Sequence, residues 1–345
     1  VAVLFVVSCF VSLSMGTSVG TITLITPMSV AVAAASGFSL PLCVASVMGG
    51  AMFGDNLSFI SDTTIAACQG QGCQMKDKFR ENFKIALPAA LVTLVIILVL
   101  SLGTDISGTV QNDYNLLELI PYLIVLVGGI VGINVFIVLL LGILSGSIIV
   151  VAEGAVAATD LLGNMGTGAA GMFETTMVAV LVSAICALIR ENGGFVALLN
   201  GIKRLFRSRK GGQLGMGLLV GAMDIATANN TVAIVMANPI AHEMAETYNV
   251  SRRKTASILD TFSCVFQGVI PYGAQMLVAI SACTELGFQV SAFQIMPFLF
   301  YPFFLLISSL VFIFFVPDDR GYVPDHAAAR MEAAVGAAEG AAGDK

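Results

Sequence analysis

The stretch that decides the fold is "FGDNLSFISDTT", residues 53–64, which places two aspartates inside an otherwise apolar region. Asp55 and Asp62 are seven residues apart, so they share one face if the segment is a single helix. The sequence Gly54-Asp55-Asn56 instead favours a break in the helix. An aspartate at the middle of a membrane span costs about 2.5–3.5 kcal/mol on insertion scales. If the surrounding chain lies in a membrane, the stretch therefore predicts a functional polar break.

The composition indicates a membrane protein. Of the 345 residues, 57% are hydrophobic and only 11% are charged, whereas a soluble domain carries about 25% charged residues. Apolar runs at 84–103, 117–151, 174–189 and 290–316 are long enough, alone or split in two, to cross a bilayer. The spacing of the seven cysteines suggests neither a disulfide framework nor a metal site. We expect no cofactor, no structural metal and no nucleic-acid partner.

The basic residues predict the topology. All 16 Lys and Arg residues can be placed on one side of the membrane, and by the positive-inside rule that side is the cytoplasm. The loops between the basic groups hold only acidic residues, such as Asp105, Asp113 and Glu153. Segment 213–249 must then begin and end in the cytoplasm, although it is too short for two spans of about 20 residues each. With a polar centre at 227–233, it is predicted to be a re-entrant hairpin.

The first 36 residues show the same pattern around a polar centre at 14–21, but the charges place their two ends outside. The stretch "GTSVGTITLITPMSV" at 16–30 aligns with "ANNTVAIVMANPIAH" at 228–242. Similar sequences that enter from opposite sides predict an inverted-topology repeat, which is typical of secondary transporters. The alignment pairs Pro27 with Pro239, Ser18 with Asn230 and, further along, Gly54 with Gly268.

The predicted fold is an all-α polytopic membrane protein with inverted-topology repeats, two re-entrant hairpins and two broken helices. Residues 1–103 form the C-terminal part of the first repeat, 104–316 the second repeat, and 317–345 a disordered cytoplasmic tail. Only the second repeat has three helices before its hairpin and the chain begins at Val1, so we expect an N-terminal bundle of about 100 residues to be missing. The predicted elements are hairpin 1–36, broken helix 40–69, helix 85–103, helices 117–132, 134–151 and 174–192, hairpin 213–249, broken helix 255–283 and helix 292–316.

The hairpin tips and the breaks supply candidate ligands for a cation. Broken helices are tolerated in a membrane where they line a cavity or are buried in protein. Their freed carbonyls and nearby polar side chains can coordinate a hard cation. The predicted ion-binding residues come from both halves of the chain and are Thr17, Ser18, Asp55, Asn56, Asn229, Asn230, Thr231 and Gln267.

Four carboxylates are predicted to couple ion binding to protons, namely Asp55, Asp62, Asp224 and Asp260. We expect no Lys or Arg beside them in the membrane, so each must either be protonated or bind a cation. A carboxylate that alternates between these states can exchange a cation for a proton. Structural roles stay open: a helix cap for Asp55, an interfacial position for Asp62 and Asp260, and a structural hydrogen bond for Asp224.

The sequence argues against an enzyme. An intramembrane aspartyl protease uses Gly-x-Gly-Asp, whereas residues 52–55 read Met-Phe-Gly-Asp. A rhomboid-like serine protease needs a membrane-buried histidine, and neither His242 nor His326 is predicted to lie there. A passive channel is disfavoured because paired hairpins are typical of alternating access.

Three stretches, "GDNLSFISDTT" (54–64), "TANNTVAIVMANPIA" (227–241) and "LDTFSCVFQGVIPYGAQ" (259–275), together resemble the NhaC-type Na+/H+ antiporter family. The resemblance covers most of residues 10–315, and Phe59 stands where the family typically has a proline. It implies a multi-pass protein that exchanges Na+ for H+ across the cytoplasmic, or inner, membrane of the cell. The two ions and the lipid bilayer are then its partners, and a homodimer stays open.

The resemblance also leaves an alternative function. Relatives move organic solutes such as malate and lactate, amino acids or tetracycline, so a Na+- or H+-coupled transporter of a small organic solute is the rival. No buried arginine is predicted that could clamp a carboxylate with two hydrogen bonds. This favours an inorganic cation as the cargo.

Overall fold

The computed structural model of the protein consists of helices and connecting turns throughout the residues that it describes. The predicted loop at 104–116, most of the predicted helix 174–192 and the predicted tail 317–345 lie outside them. The described residues are 1–102, 120–131, 135–171, 191–206 and 208–316, with isolated positions between 117 and 188.

The first two helices form a hairpin with a two-residue turn. Helix α1 (Ala2–Met15) ends at Gly16, whose φ of 69° lies in the left-handed region that favours glycine. Thr17 then caps α2 (Ser18–Ser36), because its hydroxyl accepts a hydrogen bond from the Gly20 amide at 3.3 Å. Local chemistry at both helix ends therefore fixes the tip of this hairpin.

A second hairpin of the same design lies in the other half of the chain. Helix α10 (Arg209–Thr227) ends at Ala228, which has a φ of 54°. Asn229 caps α11 (Asn230–Tyr248) by accepting a hydrogen bond from the Val232 amide at 3.1 Å. The polar residue Asn229 at this tip therefore caps a helix.

Each hairpin is followed by a helix that is interrupted. The first pair is α3 (Leu40–Leu57) and α4 (Asp62–Gln71), and the second is α12 (Arg252–Val269) and α13 (Ala274–Glu285). The first break spans residues 58–61, so it falls after the Gly-Asp-Asn sequence rather than within it. Asp55 lies in the last turn of α3 and Asp62 is the first residue of α4, so the two do not share one helix face.

Corresponding helices in the two halves of the chain begin at a constant distance along the sequence. Helices α2 and α11 have 19 residues each and begin 212 residues apart, as Ser18 and Asn230 do. Helices α3 and α12 have 18 residues each and have the same spacing. With this spacing Gly268 pairs with Asn56, so the expected pairing of Gly268 with Gly54 is wrong by two residues.

Several other elements differ from their predicted bounds. Helix α5 (Met75–Ser101) begins ten residues before the predicted start at 85, because the charged residues 75–84 form its first turns with Asp77 at the favourable N-terminal end. The final predicted helix is bent by 51° between Ala292–Phe298 and Phe300–Phe315. The helices Ala158–Gly171 and Gly194–Leu205 were not predicted. The remaining helices are α6 (Ile120–Val131), α7 (Val135–Ala152), α8 (Ala158–Gly171), α9 (Gly194–Leu205), α14 (Ala292–Ile295) and α15 (Phe300–Phe315).

The apolar helices divide into central and peripheral ones. Within the described residues, four helices or broken helices are long and apolar enough to cross a membrane, or five if the bent pair at the C-terminal end counts as one span. In the broken helix Leu40–Gln71, 89% of the most apolar 18-residue stretch is buried, against 33% in Met75–Ser101. The break in the first half therefore lies at the centre of the helix bundle. The four are Ser18–Ser36, Leu40–Gln71, Met75–Ser101 and Arg252–Thr284.

Candidate functional site

Asp55 lies where the first hairpin tip meets the first break. Its side chain is 4% exposed. One carboxylate oxygen accepts a hydrogen bond from the Ser18 hydroxyl at 2.9 Å, and the other accepts one from the Ser61 hydroxyl at 2.6 Å. Ser18 is the first residue of α2 and Ser61 precedes α4, so the carboxylate joins three helix ends. Among the described residues, no ion pair involves Asp55.

Two further donors extend these hydrogen bonds. The Gln275 amide nitrogen donates to the Ser18 oxygen at 2.8 Å. The hydroxyls of Ser61 and Thr63 are 2.8 Å apart, and since Ser61 donates its proton to Asp55, Thr63 must be the donor in that pair. The Gln275–Ser18 and Thr63–Ser61 pairs thus extend the hydrogen bonds at both carboxylate oxygens. Such chains polarise one another and strengthen each bond.

Asp62 links the first break to the tip of the second hairpin. One of its carboxylate oxygens accepts a hydrogen bond from the Thr231 hydroxyl at 2.7 Å, and the other from the Thr63 amide at 2.9 Å. As the first residue of α4, its negative charge is favoured by the helix dipole. The side chain is partly exposed. Asp62 and Thr231 are therefore brought together, as the prediction of a site shared between the halves requires.

The amide oxygens of the second tip already have local partners. Asn229 accepts from the Val232 amide, and Asn230 accepts from the Thr231 amide at 3.1 Å. Thr17 at the first tip is likewise engaged with an amide. These three predicted ligands shape the tips, and each keeps a lone pair for a further contact.

Asp260 has a basic partner, which corrects the expectation that none of the four carboxylates would have one. The Lys78 ammonium lies 2.5 Å from the Asp260 carboxylate, and both side chains are buried. Asn82 donates to the same carboxylate oxygen at 2.8 Å. Lys78 was expected in a cytoplasmic loop, but it lies in α5 and faces inward. A signal was present, because Lys78, Asn82 and Ile85 fall on one helix face that is buried.

Asn56 completes this group. Its backbone carbonyl accepts hydrogen bonds from Lys78 at 3.0 Å and from Asn82 at 2.9 Å, and its side-chain oxygen accepts from Asn82 at 2.6 Å. The Asn82 oxygen in turn accepts a short bond from Ser257 at 2.5 Å. The break predicted around Asn56 thus meets the second half through Asp260 and Ser257.

Asp224 and Gln267 carry buried polar atoms without partners. Both carboxylate oxygens of Asp224 are buried and have no hydrogen-bond partner among the described residues, and the Gln267 backbone lies near them. Gln267 donates to the Ala228 carbonyl at 3.1 Å while its own side-chain oxygen is unpaired in the described part of the chain.

The structure therefore forms connected groups from the predicted residues. Ser18 contacts Asp55, Thr231 contacts Asp62, and Asn56 joins Asp260 through Asn82. Sequence reasoning missed five members, which are Ser61, Thr63, Lys78, Asn82 and Gln275. Ser61 and Thr63 lie within the stretch 53–64, where their hydroxyl oxygens could have been recognised as candidate ligands. The pairing of Gln275 with Ser18 depends on the tertiary fold and has no local sequence signal.

A cavity of about 750 Å³ borders this site. Met15 and Ile60, which flank the first hairpin tip and the first break, line one side of it. Glu153 and Asn164 contribute polar groups from the segment around α7 and α8. The cavity is therefore lined by the residues that directly precede Gly16 and Ser61 in the sequence.

Two hairpins and two broken helices with carboxylates buried where they meet define a class of protein: a polytopic helical membrane protein with a polar centre. Comparison with known sequences places the chain within that class. A sequence model of the Na+/H+ antiporter family matches residues 1–102 and 115–316. The chain belongs to this family, and the resemblance seen in the sequence is confirmed.

Individual relatives support the same assignment. The chain is 25% identical to the Na(+)/H(+) antiporter NhaC of Bacillus subtilis (strain 168), covering 89% of this chain and 73% of that protein. It is 22% identical to the malate-2H(+)/Na(+)-lactate antiporter of the same organism, covering 89% of this chain and 71% of that one. An uncharacterized protein of Haemophilus influenzae is 36% identical, but over 27% of this chain and 18% of its own length.

Proposed function

We propose that the protein exchanges Na+ for H+ by alternating access, with Asp55 as the residue that binds both. The observation that carries this proposal is the Asp55 carboxylate itself. It is buried, it lies between a hairpin tip and a helix break, and its direct partners are two serine hydroxyls rather than a basic residue. Burial of such a group favours its neutral form unless a cation binds.

Competition at one carboxylate is sufficient for exchange. Na+ would be held by the Asp55 carboxylate together with the oxygens of Ser18 and Ser61, which are hard ligands suited to a hard cation. A proton on Asp55 would remove the negative charge that holds Na+. Each ion thus displaces the other, and a change in access between the two events moves them in opposite directions.

Repeat symmetry supports the alternating-access part of the proposal. Helices α2, α3 and α4 begin 212 residues before α11, α12 and α13. Asp62 of the first half contacts the second hairpin tip, and Gln275 of the second half contacts the first tip. We take the two halves as inverted repeats with re-entrant hairpins in the cytoplasmic membrane. Labelling of cysteines introduced at Lys76 and Thr247 from the cytoplasmic side, and at Ser107 from outside, tests this topology.

The test of Asp55 uses the intact protein in vesicles that contain a pH-sensitive dye. An imposed Na+ gradient should move protons in the wild type. Asp55→Asn keeps the size of the side chain and one acceptor oxygen but removes its titrating charge, so it should abolish Na+-dependent proton movement. Asp160→Asn is the matched control, because Asp160 is an exposed carboxylate in α8. Wild-type exchange by Asp55→Asn together with its loss in Asp224→Asn would place the carrier in the second half.

Transport of a small organic carboxylate is the second candidate. It is favoured by the cavity of about 750 Å³ beside the first hairpin tip and by similarity to a protein named for malate and lactate exchange. The helix N-termini at Ser18 and Asn230 offer amides that can bind an anion. Uptake of labelled malate or lactate, driven by a Na+ or pH gradient into the same vesicles, decides between the cargoes.

A further inference from the structure

Lys78 makes an unusually complete set of contacts for a buried lysine. Its ammonium group lies 2.5 Å from the Asp260 carboxylate, 2.7 Å from the Thr64 hydroxyl and 3.0 Å from the Asn56 carbonyl oxygen. An ammonium group has three protons, and here three oxygens surround it. Lys78 and Asp260 are 1% and 2% exposed.

The same three oxygens form a ligand set for a metal cation. A carboxylate, a hydroxyl and a backbone carbonyl are the ligands that hard cations prefer. The carbonyl belongs to Asn56 in the last turn of α3, where a helix end carries partial negative charge. This cage lies one residue from the Asp55 site, so whatever occupies it acts on the cation bound there.

We propose that Lys78 is a tethered cation that permanently occupies this cage, so that the cage binds no transported Na+ and Asp260 exchanges no proton. Lys78 then determines how many ions the protein binds in each cycle. The position 212 residues after Lys78 is Val290, and the position 212 before Asp260 is Met48, so the repeat-related position has neither charge. This inference rests on the proposed binding of Na+ at Asp55.

Removing the ammonium group should open the cage. Lys78→Met leaves a side chain of similar length without charge, and the Asp260 carboxylate then remains buried without its partner. An unpaired buried charge strongly destabilises a fold, so Lys78→Met should be less stable than the wild type without Na+. Added Na+ should fill the cage and restore stability, because a ligand that binds only the folded state stabilises it.

The experiment measures the number of 22Na+ ions bound per molecule of the purified intact protein, and its melting temperature in Na+ and in choline chloride. Lys78→Met should bind one more Na+ than the wild type, and its melting temperature should rise more in Na+ than that of the wild type does. Lys78→Arg keeps the charge and should gain no ion. The double variant Lys78→Met with Asp260→Asn removes both charges, so it should fold in choline chloride and also gain no ion.

Two results would overturn the inference, and a third bears on the proposed function. If Lys78→Met folds but binds the same number of Na+ ions as the wild type, the cage does not accept a free cation. If Lys78→Met fails to fold in Na+ while the double variant folds, the pair is structural and the inference is wrong. Failure of the wild type to bind any Na+ concerns the proposed function instead, and an additional ion in Lys78→Met would then still support the cage.

Discussion

The two serine hydroxyls on Asp55 offer the sharpest test of the proposed competition between Na+ and a proton at this carboxylate. Ser18→Ala removes the 2.9 Å bond to one oxygen, and Ser61→Ala removes the 2.6 Å bond to the other. Both hydroxyls donate to the carboxylate, and such donors favour its ionised form. Their loss should move the competition at Asp55 toward the proton.

The size of the effect follows from the strength of such bonds. A hydrogen bond to a charged group contributes about 1.5–3 kcal/mol. Because about 1.4 kcal/mol corresponds to a factor of ten in an equilibrium, each variant should need about 10 to 150 times more Na+ to compete with protons near neutral pH. At alkaline pH, where protons no longer compete, part of this increase should remain, because the serine oxygens are also proposed ligands of Na+.

The assay is the Na+ dependence of dye-reported proton flux in vesicles at neutral and at alkaline pH. Ser46→Ala is the matched control, because Ser46 also lies buried in α3 but donates to the Leu42 carbonyl within its own helix. An increase that persists at alkaline pH would show that the serine oxygen binds Na+ directly. The reasoning is refuted if Ser18→Ala and Ser61→Ala match Ser46→Ala at both pH values.

Two further predictions concern the hairpin tips. Thr231→Val keeps the shape of the side chain but removes its 2.7 Å hydrogen bond to Asp62. The melting temperature should therefore fall by an amount that corresponds to about 1–2 kcal/mol of stability. An unchanged melting temperature would show that this hydrogen bond does not stabilise the fold. Gly16→Ala should lower stability more than Gly37→Ala. Both glycines have positive φ, at 69° and 72°, but a Cβ at Gly16 would lie 2.6 Å from the Ile60 side chain, whereas nothing lies within 4 Å of one at Gly37. Equal losses in thermal unfolding would rule out this clash.

The sequence predicted the polar residues at the centre of the helix bundle better than the positions of the helix ends. The cost of an ionisable group in a membrane pointed to Asp55 and Asp62, and the polar hairpin centre pointed to Ser18, which contacts Asp55 in the structure. The helix ends were placed less well. Gly54 and Asn56 read as a break, yet α3 continues to Leu57, since buried glycines in a close-packed helix allow neighbouring helices to approach.

The basic partner of Asp260 shows what a one-dimensional rule misses. The positive-inside rule counts Lys78 by its position in the chain, between other charged residues of the segment 75–84. The direction of its side chain depends on helix phase, and α5 directs Lys78 inward together with Asn82 while Lys76 and Arg80 face outward. That Asp260 lies opposite is a tertiary fact, separated by more than 170 residues, and no local pattern contains it.

The proposed exchange at a buried carboxylate also predicts what would prevent uncoupled ion leakage. An ionised Asp55 without Na+ is a buried charge without a basic partner in the described residues, which disfavours any rearrangement of the centre around it. A proton or Na+ removes that penalty, so the change in access should occur only with one of them bound. Asp55→Asn is permanently neutral, so it should move freely between the inward-open and outward-open states.

Labelling of a cysteine introduced at Ile60, within the first break, tests this expectation. Its labelling should depend on Na+ and pH when Asp55 is present and on neither in Asp55→Asn. Labelling that responds to Na+ equally in both proteins would mean that another carboxylate controls the change in access.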